Sequence, residues 1–296
     1  MKRPNLIFAN PTSGRGRGAR VLAQVLQYLD DQRIRYNVIA ASSLEGSLNE
    51  LRSKNFDDYE RLFVVGGDGM MHHAINEMAH CKSEEQLPIG LIPSGTGNDF
   101  SRALGLDIKN PIRNIDAFLA SAPISVDLGE VNGRRFGAIC STGFDSLVNE
   151  RANSMNWPKG KRKYDIAMLQ ELPRFKPRSY QITIDGESYD IKAMLIAVGN
   201  GSSYGGGMKV CPDAQLDDGL LDVMILHPVP KVEFLKIFPK VYSGDHAKHP
   251  KVEIIRGRSI TIEGEAITYA DGERISPTPV KIKSLSAALK TWAVNV

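Results

Sequence analysis

Cysteine is scarce in this chain of 296 residues: Cys81, Cys140 and Cys211 are odd in number, far apart, and lack any CxxC or Cys/His spacing. They support neither a disulfide framework nor a zinc site, and they read as buried small hydrophobes. No apolar run reaches eighteen residues and the N-terminus carries no apolar signal segment, so no spanning helix is expected and the cytoplasm is the expected compartment. Excess charge is also small. A net +3, from 37 Lys and Arg against 34 Asp and Glu, does not point to nucleic acid. Internal repeats are missing, which removes solenoids, and no Gly-x-Ser-x-Gly elbow supports a serine hydrolase.

What is present is an ordinary globular composition, 42% hydrophobic and 24% charged, punctuated by 27 glycines and 16 prolines. Basic residues cluster in two places. Lys2, Arg3, Arg15, Arg17, Arg20, Arg33 and Arg35 lie near the start, and Arg151, Lys159, Lys161, Arg162, Lys163, Arg174, Lys176 and Arg178 lie mid-chain. Such patches suit nucleotide phosphates, an anionic membrane surface or simply a solvated face.

The first 123 residues alternate short apolar runs with helical periodicity. Leu6 to Ala9, Tyr36 to Ala40, Leu62 to Val65 and Ile89 to Ile92 predict strands, and the stretches between them predict helices. This order predicts a parallel sheet covered on both faces, with ligands beyond the carboxyl ends of its strands. From about residue 124 the pattern changes to short strands and Asn-Gly or Asp-Gly turns, including Tyr180 to Ile184, Ile191 to Val198 and Leu220 to Leu226. A mainly β second domain is expected over 124–275, with helices near Asp145 to Ser154 and Lys163 to Leu172, and a last segment over 276–296.

Three loops follow predicted strands and have phosphate-binding character. Gly66-Gly67-Asp68-Gly69 joins a buried strand to a helix whose first N–H groups are free to face a phosphate. Pro93-Ser94-Gly95-Thr96-Gly97-Asn98-Asp99-Phe100 offers main-chain N–H groups and two hydroxyls, and Asp99 suits a helix cap or a hydrated magnesium ion. Asn10-Pro11-Thr12-Ser13-Gly14-Arg15-Gly16-Arg17-Gly18 has neither a Walker A ending nor GxGxxG, but Arg15 or Arg17 suits a transferring phosphate. Later, Asp271-Gly272-Glu273 supplies carboxylates for taking a hydroxyl proton, or an ordinary turn. Asp217-Asp218-Gly219 forms an acidic turn that suits one hard ion or a solvated hairpin.

Together, Asn10-Pro11, Gly66-Gly67-Asp68-Gly69, Gly95-Thr96-Gly97-Asn98-Asp99-Phe100, Leu216-Asp217-Asp218-Gly219-Leu220 and Asp271-Gly272-Glu273 resemble the bacterial diacylglycerol kinase and related lipid kinase family. The resemblance implies an α/β nucleotide-binding domain like that of NAD kinase and phosphofructokinase, a β-sandwich-like second domain, and a C-terminal segment returning to the first. It also implies that ATP lies against Asn10, Ser42, the segment Gly66, Gly67, Asp68, Gly69, Met70, Met71 and His72, and Thr96. Asp68 would organise catalytic Mg2+, Glu273 supported by Asp271 would activate a lipid hydroxyl, and Gln215, Asp218 and Leu220 would hold a structural Mg2+. The acceptor so implied is diacylglycerol; with no spanning segment, access would need peripheral contact with an anionic membrane surface, for which the basic stretch 151–178 with Met155, Trp157 and Phe175 is a candidate, Trp157 and Phe175 suiting the core equally. A homodimer is compatible with the chain. The chain departs from the family's usual Gly-Gly-Asp-Gly-Thr-Leu-Asn-Glu by reading Met70-Met71-His72-His73 after the turn. Kinases of a soluble acceptor such as NAD or a sugar phosphate, and nucleotide-responsive binding proteins, remain alternative uses of the Gly66 turn.

Overall fold

The computed structural model describes residues 3–11, 16–79, 87–155, 157 and 161–294, apart from the side chains of Lys161, Arg162 and Asp165. Cys81, Arg15 and Lys159 therefore lie outside the described residues. The chain forms two compact units, Met1–Val126 with Ala287–Val296, and Asp127–Ser286.

The first unit runs β1 (Asn5–Ala9), α1 (Arg17–Asp31), β2 (Tyr36–Ile39), α2 (Leu44–Arg52), β3 (Leu62–Gly66), α3 (Asp68–Ala79), β4 (Ile89–Pro93), α4 (Asp99–Ala103) and α5 (Ile112–Ala120). Its four-stranded sheet has the order β2-β1-β3-β4, and every pairing is parallel. All residues of β1, β3 and β4 are buried, as a sheet covered on both faces requires, whereas the edge strand β2 is partly exposed. α1 buries Val21, Val25 and Leu29, a stripe at four-residue spacing. The Ser43 hydroxyl caps α2 by accepting the Gly46 N–H at 3.1 Å. The C-terminal segment belongs to this core. Thr291 donates to the Ile89 carbonyl at 2.7 Å, Trp292 Nε1 donates to the Ser121 carbonyl at 3.0 Å, and the Trp292 ring lies 5.2 Å from Phe118.

The second unit takes most of β5 (Ile124–Val131) and continues through β6 (Arg134–Phe136), β7 (Ile139–Gly143), α6 (Phe144–Ser154), α7 (Lys161–Glu171), β8 (Arg178–Ile184), β9 (Glu187–Ala193) and β10 (Leu195–Gly199). Then come β11 (Leu221–Leu226), α8 (Lys231–Ile237), β12 (Val252–Gly257), β13 (Ser259–Gly264), β14 (Ile267–Ala270), β15 (Glu273–Pro277) and β16 (Val280–Thr291). Two six-stranded sheets result, with orders β12-β11-β10-β7-β14-β15 and β6-β5-β16-β13-β8-β9. Ile182, Ile184 and Ile260 meet Ile196, Val198 and Val223 in one apolar core, making a β-sandwich.

Two boundaries differ from the sequence expectation. The run Ile191 to Val198 is not one strand: β9 ends at Ala193 in one sheet and β10 begins at Leu195 in the other. The change is written in exposure, since β9 alternates and β10 is buried throughout. The unit division falls at Val126/Asp127 and Ser286/Ala287 instead of 123/124 and 275/276. The first half of β16 pairs with β13, from Ser259↔Lys283 to Ile262↔Val280, and so belongs to the sandwich.

Candidate active site

Because β1, β3 and β4 are adjacent and parallel, the segments that follow them leave the same edge of the sheet. Asn10 donates its N–H to the Val65 carbonyl at 3.4 Å, and Ser94 donates its N–H to the Gly66 carbonyl at 2.8 Å. The second and third segments then touch through main chain: a Cβ on Gly95 would stand 2.6 Å from Gly67 Cα, and one on Gly67 would stand 2.9 Å from Gly95 Cα. Only glycine at both positions allows this spacing. Asn98 closes its loop in the left-handed region, φ 56°, with Nδ2 donating to the Gly95 carbonyl at 2.9 Å.

Asp68 sits in the first turn of α3, and its Oδ1 accepts the Phe100 N–H of α4 at 3.0 Å. Asp99 comes close to it. A Cβ on Gly97 would lie 2.6 Å from Asp68 Oδ2 and 3.3 Å from Asp99 Oδ2, so two carboxylates converge over one glycine. Two hard oxygen donors beside phosphate-type loops fit a magnesium ion. The Asp99 carboxylate is buried, with Arg102 Nε 3.9 Å away.

The other expected nucleotide contacts divide by exposure. Ser42 and Thr96 are exposed, and Asn10, Gly67 and Gly69 are partly so. Gly66, Met70, Met71 and His72 are buried, the last three at 5%, 1% and 0% exposure, so those three side chains serve the interior of the unit. Of the basic residues near the first loop, Arg17 is committed elsewhere, its guanidinium donating to the Ile108 carbonyl. Arg15 lies outside the described residues.

In the second unit, Asp271 and Gly272, both with positive φ (51° and 86°), make the tight turn between β14 and β15. The Asp271 carboxylate accepts the N–H groups of Gly137 at 2.8 Å and Ala138 at 2.9 Å, so it fastens the turn to the chain entering β7. Glu273, partly buried, opens β15. The acid pair is thereby differentiated: Asp271 serves the backbone and Glu273 begins an edge strand.

The loop of Gln215, Asp218 and Leu220 is braced from several sides. Asp127 Oδ2 accepts the Gly219 N–H at 2.6 Å, and the Asp127 N–H donates to the Leu216 carbonyl at 2.6 Å. Asp218 accepts the Leu220 N–H at 2.9 Å and pairs with the Arg256 guanidinium, whose Nε also holds Asp222 at 2.9 Å. Burial pushes the Asp222 carboxyl up and Arg256 opposes the shift. Among the described residues no three His, Cys, Asp or Glu side chains form a metal cluster. An ion on this loop would depend on carbonyl oxygens and would share Asp218 with a guanidinium. Nearby, His246 Nε2 lies 3.1 Å from the Val210 carbonyl, and His249 Nε2 lies 3.1 Å from Glu233 Oε1.

Two buried polar residues escaped the sequence reading. Asn200 is fully buried and donates to the carbonyls of Asp127 at 3.0 Å and Gly137 at 2.8 Å, which ties the acidic loop's support to the Asp271 anchor. Its only sequence signal is Gly199-Asn200-Gly201, which looks like a turn. Asp145, second in α6, is a buried carboxyl pushed up to about 6 by burial. The apolar surface also needs redrawing. Trp157 is 79% exposed, but Phe175 is buried and its ring meets Phe144 at 5.1 Å, so only the first faces solvent. Leu169 on α7 and Val232 and Leu235 on α8 are exposed as well, and Phe144 also meets Phe234 of α8 at 5.1 Å. No helix among the described residues is long and apolar enough to cross a membrane.

Comparison with known proteins matches this architecture. Residues 4–131 match the family described as the diacylglycerol kinase catalytic domain, and residues 138–293 match the YegS C-terminal NAD kinase beta sandwich-like domain. A diacylglycerol kinase of Mycobacterium tuberculosis (strain ATCC 25618 / H37Rv) is 34% identical over 290 residues, 96% of this chain and 93% of that one. A diacylglycerol kinase of Bacillus subtilis (strain 168) is 28% identical over 287 residues, 93% of this chain and 94% of that one. The crystal structure of a diacylglycerol kinase from Bacillus anthracis str. Sterne, 22% identical, has a TM-score of 0.75 and covers 99% of this chain and 97% of that one, a likeness of fold. By sequence match, with an α/β nucleotide-binding unit followed by the sandwich, the chain belongs to the bacterial diacylglycerol kinase family of lipid kinases.

Proposed function

We propose that the protein transfers the γ-phosphoryl group of ATP to a lipid hydroxyl, with diacylglycerol as acceptor and phosphatidic acid as product. The observation that carries this reading is the convergence of Asp68 and Asp99 over Gly97 beside the paired Gly67 and Gly95 loops. Main-chain N–H groups at the start of α3 and in the 95–98 loop bind phosphate oxygens, with Asn10, Ser42 and Thr96 lining the nucleotide. Asp68 and Asp99 would hold a magnesium ion, which would supply charge to neutralise those oxygens. Glu273 takes the acceptor's proton, and Asp271 keeps the turn in place. A structural ion held by Asp218 and the Gln215 and Leu220 carbonyls would share its carboxylate with Arg256.

The lipid half of the proposal draws on the names of the relatives and on the exposed apolar residues Trp157, Leu169, Val232 and Leu235. Lys163 and the exposed Arg174 and Lys176 lie in the same stretch of sequence and would meet anionic headgroups by peripheral contact. A transfer assay with labelled ATP against diacylglycerol, other lipids, NAD and soluble alcohols tests the whole reading. Product from diacylglycerol alone, abolished by Glu273→Gln, is expected; preference for a soluble acceptor, or normal turnover in that variant, would overturn it.

A further inference from the structure

Glu150 lies on α6, outside the loops described above, yet it binds both strands of the hairpin that carries Glu273. Its Oε1 accepts the Tyr269 hydroxyl at 2.6 Å and the Arg274 Nε–H at 2.9 Å. Tyr269 and Arg274 are cross-strand partners, placed opposite each other by the bulge between Thr268 and Tyr269. One carboxylate oxygen therefore fastens the strand before the Asp271-Gly272 turn to the strand after it.

The clamp sits where the sheet needs one. Among the described residues β15 is an edge strand, with β14 as its one sheet neighbour, so its tip has ladder support on one side there. Asp271 holds the turn through the Gly137 and Ala138 amides, and Glu150 holds it through Tyr269 and Arg274. The ionisation of the groups agrees with the geometry. The Tyr269 bond, then that from Arg274, keeps the Glu150 carboxyl below the usual range, while burial and then Glu150 push the Tyr269 hydroxyl up to about 12. An exposed ion pair with Arg274 alone would contribute little to stability. Tyr269 is buried, which makes its hydroxyl bond the firmer half of the clamp. Burial, and then the charge of Glu273, raises the hydroxyl of Tyr164 on α7.

We propose that Glu150 is a positioning residue for Glu273, fixing the direction of its carboxylate through Tyr269 and Arg274 without touching the reacting atoms. The proposal rests on the reading of Glu273 as the group that takes the acceptor's proton.

The test compares Glu150→Ala and Glu150→Gln in the full chain. A tip loosened by an ångström costs about 10- to 100-fold in turnover, so Glu150→Ala should lower kcat by that factor while the KM for ATP stays within about twofold. Glutamine keeps an acceptor oxygen for both bonds and should restore most of the loss. Wild-type kcat in the alanine variant overturns the proposal, as does a loss that glutamine fails to rescue or that appears equally in the KM for ATP. If Glu150→Ala does not fold, Tyr269→Phe with Arg274→Met removes the same bonds, and unchanged kcat there overturns it. Hydrogen exchange at the amides of residues 272–274 reads the clamp without any substrate. Unchanged exchange in the alanine variant refutes the clamp whatever the lipid assay gives. Faster exchange there, with a wild-type protein that moves no phosphoryl group to any acceptor, supports the clamp and refutes the proposed function.

Discussion

Replacing Gly95 by alanine should separate the two loops on which phosphate binding depends. The new Cβ would stand 2.6 Å from Gly67 Cα, 3.2 Å from Gly67 N and 3.0 Å from Asn98 Oδ1. Ordinary contact begins near 3.4 Å, so the two main chains must part by about 0.8 Å. Neither side yields easily. Gly67 joins a buried strand to a helix, and the Ser94 N–H to Gly66 carbonyl bond at 2.8 Å sets the spacing. Overpacking of this kind costs about 1–3 kcal/mol, which for a unit of this size lowers the melting temperature by about 3–10 °C. Loop displacement should also weaken ATP by at least about tenfold, or ~1.4 kcal/mol. Thermal melting with and without magnesium-ATP measures both effects, because a ligand that binds only the folded state raises the melting temperature by mass action. The control is Gly133→Ala, whose Cβ meets nothing within 4 Å at φ +82°. It should cost only the left-handed penalty of about 1–2 kcal/mol and keep the full ATP response. A Gly95→Ala protein with the wild-type melting temperature and the wild-type ATP response would refute the close-approach argument.

Asp271→Asn keeps one acceptor oxygen but turns an amino group toward the second N–H, so it should lose about 1–3 kcal/mol in urea unfolding and reduce turnover with it; wild-type values of both would remove the anchoring role. Asp145 gives a pH dependence of known sign: its folded value of about 6 exceeds the ordinary 3.8, so the folded chain retains a proton that the unfolded chain releases, and stability falls as pH rises between those values. The loss is at most about 3 kcal/mol, and Asp145→Asn should flatten the curve and be the more stable protein at pH 7.5; a less stable variant at that pH would contradict it. Burial raises the Cys140 and Cys211 thiols, so neither should react with an alkylating reagent until the protein is unfolded, which mass spectrometry of labelled peptides checks. Trp292→Ala should cost about 3–5 kcal/mol by chemical denaturation, since the ring packs on Phe118 and its N–H is bonded to Ser121; a loss below about 1 kcal/mol would mean the C-terminal segment is not part of that core.

The parts of the site legible in the sequence are those made of main chain. Gly66-Gly67-Asp68-Gly69 and Gly95-Thr96-Gly97 announce themselves because glycine is the residue that lets backbone approach backbone, and the strands before them are continuous apolar runs. The supports were hidden because they are side chains acting across long separations. Glu150 meets Arg274 124 positions away, and Asn200 meets Asp127 73 positions away. A single polar residue bonded to a distant carbonyl leaves no periodicity to read. The run Ile191 to Val198 misled for a related reason: hydrophobicity is continuous through the point where the chain leaves one sheet for the other, and only the exposure of alternate residues in β9 separates the two strands.

The departure at Met70 and His72 takes on a different weight once burial is considered. A Cβ on Gly66 would fall 2.4 Å from Met70 Cβ, so Met70 occupies space that Gly66 leaves by having no side chain. His72 is fully buried on the same helix. Both residues therefore alter how α3 packs on its sheet, whereas a phosphate meets the N–H groups of the turn, and the carboxylate of Asp68, fixed by the Phe100 amide, is left for a cation. In the proposed reaction the nucleotide meets main chain at this turn, which can keep its position with methionine and histidine packed behind it. It cannot keep that position with a Cβ at residue 95, because the carbon would enter from the side where the two loops touch.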